Sequence, residues 1–172
     1  MDRILIPENT LVVLCGPAGC GKSSFAARFF LPTQIVSSDD CRARVSDDPK
    51  NQAVSHHAFD LMFFIIRKRL LLKRLTVADA TNLDSADRRE LKKTARWFGF
   101  KAAAFVFDLP LETCLDRNAG RERVVPEEAI KMQFEKLEST RKSIRQEGFN
   151  YVFVLDQESQ DEVIVEIGPS RY

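Results

Sequence analysis

Apolar residues in this chain fall into short runs separated by polar, glycine- and proline-bearing stretches, and the runs are of two alternating kinds. Leu11-Val12-Val13-Leu14-Cys15 is short and unbroken, as suits a parallel strand buried on both faces. Past a glycine-rich segment, Ser24-Phe25-Ala26-Ala27-Arg28-Phe29-Phe30 spaces its apolar positions as an amphipathic helix does. Gln34-Ile35-Val36-Ser37 predicts a second strand, and about Gln52 to Leu72 a long helix. Apolar residues circle that helix almost completely, so it is expected to be well buried. Leu75-Thr76-Val77-Ala78 predicts a third strand, Ser85 to Phe98 a helix, and Ala102 to Phe107 a fourth strand. Pro110 suits the first turn of the next helix, and Pro126-Glu127-Glu128 opens another with Ile130, Phe134 and Leu137 on one face. Tyr151 to Leu155 is a fifth strand and Glu162 to Ile167 a candidate sixth. Alternating strands and helices predict an α/β fold with a mainly parallel five-stranded sheet and helices on both faces. In such sheets ligands bind beyond the carboxyl ends of the strands, which directs attention to the residues just after each one.

Composition narrows the class. At 172 residues, 44% hydrophobic and 30% charged, the chain is expected to form one globular domain over residues 1–172. A net charge of +1 argues against an overall cationic coat, though it leaves room for a local basic groove. The longest unbroken apolar run, Leu61 to Ile66, is too short to cross a bilayer, so no membrane association is expected. The opening Met1-Asp2-Arg3-Ile4-Leu5-Ile6-Pro7 lacks a secretory signal. Cys15, Cys20, Cys41 and Cys114 form no C-x-x-C pair and no ligand cluster with His56 or His57, which fits a reducing, cytoplasmic setting.

The chemistry concentrates first in Gly16 to Ser23, GPAGCGKS, which fits the phosphate-binding pattern G-x-x-x-x-G-K-[ST] at every required position. Gly16, Gly19 and Gly21 let the backbone bend tightly around an anion. A helix starting near Lys22 aims the positive end of its dipole at the same place. Lys22 reaches the β- and γ-phosphates and the Ser23 hydroxyl is placed for Mg²⁺, with Cys20 and Ser24 in the same wrapping turn. The strand before and the helix after complete the supersecondary context.

Three further segments follow predicted strands or helices. In Ser37-Ser38-Asp39-Asp40-Cys41-Arg42, Asp39 and Arg42 share one face if a turn of helix forms. A carboxylate beside a guanidinium suits phosphoryl transfer to an alcohol, the first accepting the hydroxyl proton and the second stabilising phosphoryl charge. An N-cap aspartate with a surface ion pair gives the same spacing. Asp79, ending the third strand in Asp79-Ala80-Thr81-Asn82, has the Walker B placement for orienting Mg²⁺ or its waters; an Asp-initiated turn is the plainer reading. Arg117, Arg121 and Arg123 follow a helix, with Gly120 among them, and form a candidate lid that brings cations to nucleotide phosphates. The alternative is a solvated helix end.

GPAGCGKS, SSDDCR, LTVADATN and LDRNAGRER, in this order, resemble the kinase domain of bacterial polynucleotide kinase–phosphatase and, more distantly, the phage polynucleotide 5′-kinase. The resemblance runs from Ile6-Pro7-Glu8 to Gly148-Phe149-Asn150-Tyr151-Val152. It implies a P-loop kinase fold with an arginine-bearing lid and transfer of the γ-phosphate of ATP, or another NTP, to 5′-OH ends of DNA or RNA, as in nucleic-acid repair. Lys22 and Ser23 then hold phosphates and Mg²⁺, Asp39 is the general base, and Arg42 clamps phosphates at the acceptor. Arg117, Arg121 and Arg123 are the lid arginines. In one departure, Arg121 and Arg123 stand two apart where the family pattern spaces them three apart. In that family the kinase is the first module of a longer chain with phosphatase and ligase-like domains, so this chain is read as an excised or freestanding module.

The alternative reading is a small-molecule kinase of the same fold, acting on a sugar or nucleotide or resembling a zeta toxin. A third is a nucleotide-gated binding module, which has no use for Asp39 beside Arg42. His56-His57 reads as helix surface, and Phe98 and Phe100 read as core before base-stacking. Arg67-Lys68-Arg69, Lys73-Arg74 and Lys92-Lys93 either track a phosphate backbone or are solvated helix faces.

Overall fold

The computed structural model describes residues 3–169. In chain order its elements are β1 (Arg3–Pro7), β2 (Thr10–Cys15), α1 (Lys22–Phe29), β3 (Ile35–Ser37), α2 (Ser38–Ser46), α3 (Ser55–Leu71) and β4 (Thr76–Asp79). There follow α4 (Ser85–Trp97), β5 (Lys101–Phe107), α5 (Leu111–Ala119), α6 (Glu127–Ser143), β6 (Tyr151–Leu155), α7 (Gln157–Glu162) and β7 (Ile164–Gly168).

Five strands form one parallel sheet in the order β3-β4-β2-β5-β6. β2 lies at its centre, which is why its sequence is apolar without interruption: Leu11, Val13 and Cys15 enter one core and Val12 and Leu14 the other. The first core is closed by α3, α4 and the second half of α6, the other by α1, α5 and the β1–β7 pair. Register then sets the site. Leu14 pairs with Asp79 and Asp79 with Ser37, so β2, β4 and β3 end level. The segments that follow them emerge side by side at the carboxyl edge, where a parallel sheet takes its ligand.

One expectation needs correction. α3 is not buried all round. Its fully buried residues are Ala58, Met62, Ile66 and Leu70, one narrow stripe at four-residue spacing, while Phe64 and Leu71 are 56% and 57% exposed. The helix lies over β3 and β4 at the edge of the sheet, and among the described residues no layer covers its outer side. The sixth strand exists as β7 but does not extend the main sheet; it pairs in parallel with β1, a strand whose Ile4 and Ile6 point inward in strict alternation. Phe100 is in the core and Phe98 packs against it, as expected.

Among the described residues no helix is long and apolar enough to cross a membrane. All four cysteines are free and buried. Burial pushes the Cys15 thiol up to about 12 and the Cys114 thiol up to about 11, so neither is a thiolate near neutral pH.

Candidate active site

The phosphate loop joins β2 to α1. Gly19 and Gly21 hold φ of 81° and 94°, a region that side chains other than glycine's disfavour. A Cβ on Gly19 would also overlap the carbonyl oxygen of Cys114, so the loop passes α5 with room only for hydrogen. Lys22 opens α1, and its Nζ donates to the carbonyls of Gly16 (2.8 Å) and Pro17 (2.7 Å). The first amides of α1 have no partner inside the helix and face the loop as an anion site.

Three supports fix this loop from behind. The Gly16 amide donates to the Thr81 carbonyl at 2.9 Å. Asn82, at φ 47°, turns its side-chain amide onto the carbonyl of Leu14 at 2.7 Å. Gln133 of α6 accepts from the Ala18 amide at 2.8 Å. Arg88, fully buried on α4, donates to the carbonyl of Asn82 at 3.0 Å and forks onto Glu147 at 2.8 and 2.5 Å. None of these four side chains stood out as a site residue in the sequence. Asn82 lies in the quoted DATN segment, but Arg88, Gln133 and Glu147 carry no local signature.

Asp79 ends β4 beside the loop and accepts from the Ser23 hydroxyl at 2.8 Å. Burial pushes its carboxyl above the ordinary aspartate range, and the Lys22 charge and the Ser23 hydrogen bond offset this only in part. On the other side, the Ser37 hydroxyl caps α2 by accepting from the amides of Asp39 and Asp40. This starts the helix at the end of β3 and puts Asp39 and Arg42 on one face. Arg42 Nη1 donates to Asp39 Oδ1 at 2.7 Å, and the arginine is only 8% exposed. Its Nε also donates to the Ser55 hydroxyl at 3.4 Å.

The arginine-bearing segment after α5 is anchored at its base. Asn118 donates to the Val125 carbonyl at 2.8 Å and accepts from the Val125 amide at 2.9 Å. This pinned loop carries Arg123 onto Asp39 Oδ2 at 2.5 Å. Arg123, whose spacing departs from the family pattern, is therefore the arginine of this segment that joins Arg42 on the Asp39 carboxylate. Arg117 lies on the opposite side and donates to Gln160 of α7 at 3.4 Å. Gln160 lies against Gly21 and was not anticipated; a lone glutamine in a short helix gives no signal.

Two clefts flank the loop. One, of about 340 Å³, is lined by Asp39, Arg42, Asp79, Arg123, Gln52 and Phe59 among others. The other, of about 410 Å³, is lined by Gly19, Gly21, Ser24, Arg117 and Gln160. Lys22, Ser23 and Arg121 line both. Every expected site residue except Gly16 and Cys20 thus faces one of the two clefts. Those two belong to the buried side of the loop, and a Cβ on Gly16 would lie 2.6 Å from the Cys20 sulfur. The first cleft holds the only described carboxylate flanked by two arginines, Asp39.

Comparison with known proteins agrees with this architecture. Residues 11–143 match the family described as AAA domain. The comparison with curated proteins gives no match. Among solved structures, a chain of the Pnkp1/Rnl/Hen1 RNA repair complex is 24% identical with a TM-score of 0.67. That alignment covers 80% of this chain and 47% of the other, so the present chain spans about half the length of that relative. A gluconokinase from Sinorhizobium meliloti 1021 is 19% identical with a TM-score of 0.54, covering 88% and 84%. A chain of the PezAT toxin–antitoxin system of Streptococcus pneumoniae is 14% identical with a TM-score of 0.66, covering 87% and 69%. At these identities the likeness is one of fold. With most of its length matched and its sheet ordered around the phosphate loop, the chain belongs to the AAA domain family and has the P-loop kinase fold.

Proposed function

We propose that this chain transfers the γ-phosphate of ATP, or another NTP, to the 5′-hydroxyl of a polynucleotide end. The observation that carries the reading is the Asp39 carboxylate held between Arg42 and Arg123 in a cleft that Lys22 and Arg121 also line. Those are more cations than a donor's terminal phosphate needs, and they suit an acceptor that brings phosphates of its own.

In this reading Lys22 and the amides of the loop and α1 hold the β- and γ-phosphates. Asp39 accepts the proton of the 5′-hydroxyl, whose oxygen bonds to the γ-phosphorus as the bond to the β–γ bridging oxygen breaks and the nucleoside diphosphate leaves. Each carboxylate oxygen of Asp39 bonds one arginine and keeps a further acceptor direction for the hydroxyl. Arg42 clamps the acceptor phosphate, and Arg117, Arg121 and Arg123 stabilise charge on the moving group. The Ser23 hydroxyl and Asp79 carboxylate are the oxygen donors Mg²⁺ takes alongside phosphate and water, so the residues fit this ion. When bound, Mg²⁺ neutralises phosphate charge. The phosphatase and ligase-like domains of the resembling family are the expected neighbours in a full-length protein.

A small-molecule kinase is the second reading, because a cleft of about 340 Å³ also admits a sugar and the fold is shared with a gluconokinase and the PezAT chain. Phosphorylation of a 3′-phosphorylated mononucleoside, the free nucleoside and gluconate, side by side, separates the two. The polynucleotide reading predicts that the 3′-phosphate compound is much the best acceptor. It also predicts that Arg42→Ala loses this preference and Arg42→Lys restores little of it, a point charge lacking the planar fork. Equal use of the nucleoside or gluconate rejects the reading.

A further inference from the structure

The stretch from Arg67 to Lys101 holds eleven basic and four acidic side chains, in a chain whose net charge is only +1. Sequence leaves open whether these cations share a surface. In the fold they do: α3 and α4 pack on the same face of the sheet, joined midway by the Arg67–Glu90 ion pair and at their far ends by Lys73, which donates to the Phe98 carbonyl.

Not every cation in the stretch is available. Arg69 turns inward to the Leu75 carbonyl and Thr76, Arg88 is buried, and Lys92 is tied to the Glu147 carbonyl. What remains is ordered. Arg89, Lys93, Arg96 and Trp97 recur at helical spacing along the exposed ridge of α4, and Trp97 is 83% exposed. On α3, Phe64 and Lys68 are also exposed, with the ammonium over the ring at 5.3 Å. Arg89, Lys93, Arg96 and Lys68 form no ion pair among the described residues.

The two helices connect this surface to the proposed acceptor cleft. Ser55 and Phe59 at the start of α3, and Asp87 in the first turn of α4, line the cleft. Both helices run from there toward the opposite edge of the sheet. α4 spans thirteen residues, about 20 Å at ~1.5 Å per residue. At ~3.4 Å per stacked nucleotide that length matches about six nucleotides.

We propose that the α3–α4 ridge is a track for the body of the acceptor strand, leading away from the 5′ end held at Asp39. Arg89, Lys93 and Arg96 meet successive phosphates, Lys68 adds a cation toward the far end, and Trp97 stacks on a base about six nucleotides in. The inference rests on the polynucleotide reading above and deepens it. It makes the enzyme sensitive to acceptor length: KM falls from a dinucleotide to about a hexamer or octamer and then levels off.

The test uses Lys93→Gln/Arg96→Gln and Trp97→Ala in the full chain, with a 3′-phosphorylated mononucleoside and a 5′-OH single-stranded 20-mer as acceptors. None of these residues touches the catalytic cleft. The track predicts that turnover of the mononucleotide is unchanged while KM for the 20-mer rises roughly fivefold or more in each variant. The slope of log KM against log salt also drops by about 1.4 in the double variant, for two lost phosphate contacts on a single strand. Unchanged 20-mer KM and slope would overturn the track and leave 5′-end transfer standing. If the variants instead lose binding to vesicles of mixed phosphatidylcholine and phosphatidylserine while keeping wild-type 20-mer kinetics, the ridge is a membrane surface and the proposal is wrong. If the wild type phosphorylates neither acceptor, the polynucleotide reading falls and the track falls with it.

Discussion

Glu147→Gln is expected to weaken the fold through a chain of contacts that ends at the phosphate loop. Arg88 is 1% exposed, and its guanidinium has four partners: both carboxylate oxygens of Glu147, the Asn82 carbonyl and the Thr140 hydroxyl. Replacing the carboxylate with an amide keeps the shape but leaves a buried positive charge without a counter-charge. Breaking a buried pair in this way costs about 3–5 kcal/mol, and the lower end applies here because the Glu147 side chain retains 14% exposure. A loss of about 3 kcal/mol lowers the melting temperature of a domain this size by roughly 6–12 °C. Substituting both partners, Arg88→Met with Glu147→Leu, removes the stranded charge and is expected to recover most of the loss. Acidity supplies a second readout. Burial alone would push the Glu147 carboxyl up, but hydrogen bonds from Arg88 and Ser143, with the guanidinium charge, outweigh it and hold the carboxyl below its ordinary value. A carboxyl lowered by folding contributes stability above its unfolded pKa of ~4.3 and loses it as pH falls through the lower folded value. Wild type and Glu147→Gln should therefore differ fully at pH 7, and the gap should shrink progressively as pH falls below the unfolded value of ~4.3 and close once it has passed the lower folded value. Thermal melts followed by circular dichroism across that range measure both effects. A variant that melts within about 1 °C of wild type at pH 7, or a gap that persists in acid, would refute the reasoning.

Other perturbations have distinct signatures. Asp39→Asn is nearly isosteric and should lower turnover by roughly 10²–10⁴-fold with little change in KM for ATP; loss of ATP affinity with normal single-turnover rates would assign Asp39 to the donor instead. Asp79 is raised by burial, so its charge opposes folding near neutral pH, and the stability it contributes when protonated is lost as pH rises through its folded pKa. Asp79→Asn should accordingly raise the melting temperature at pH 7 while lowering Mg²⁺-dependent transfer, and a variant that melts lower would contradict this. Gly19→Ala meets both a φ of 81° and the Cys114 carbonyl, so it should cost more than about 1 kcal/mol and reduce kcat/KM at least tenfold. A fully active, equally stable Gly19→Ala protein would show that the loop is less tightly apposed to α5 than described.

What could be read in the sequence was what is local. The phosphate loop occupies eight consecutive residues, and its context of strand and helix is contiguous. Asp39 and Arg42 are one helical turn apart, and that spacing alone predicted a pairing that the fold places at 2.7 Å. The partnership of Asp39 with Arg123 lay out of reach, because it depends on α5 and its pinned loop packing across the cleft from α2. Gln133 on Ala18 and Gln160 against Gly21 were hidden for a similar reason, since an isolated glutamine reports nothing about what it faces. α3 misled through its composition: hydropathy counts apolar side chains but cannot tell whether a second layer lies above them. The strand at Arg3–Pro7 escaped notice because its partner, Ile164–Gly168, comes from the other end of the chain.

The most direct measurement is transfer of label from γ-³²P-ATP, with Mg²⁺, to a 5′-OH oligonucleotide, beside gluconate, a panel of sugars and free nucleosides, in wild type and Asp39→Asn. The account predicts label on the 5′ end of the oligonucleotide, little on the small alcohols, and loss of transfer in Asp39→Asn. Label on a sugar or gluconate in preference to the oligonucleotide, or full transfer by Asp39→Asn, would contradict it.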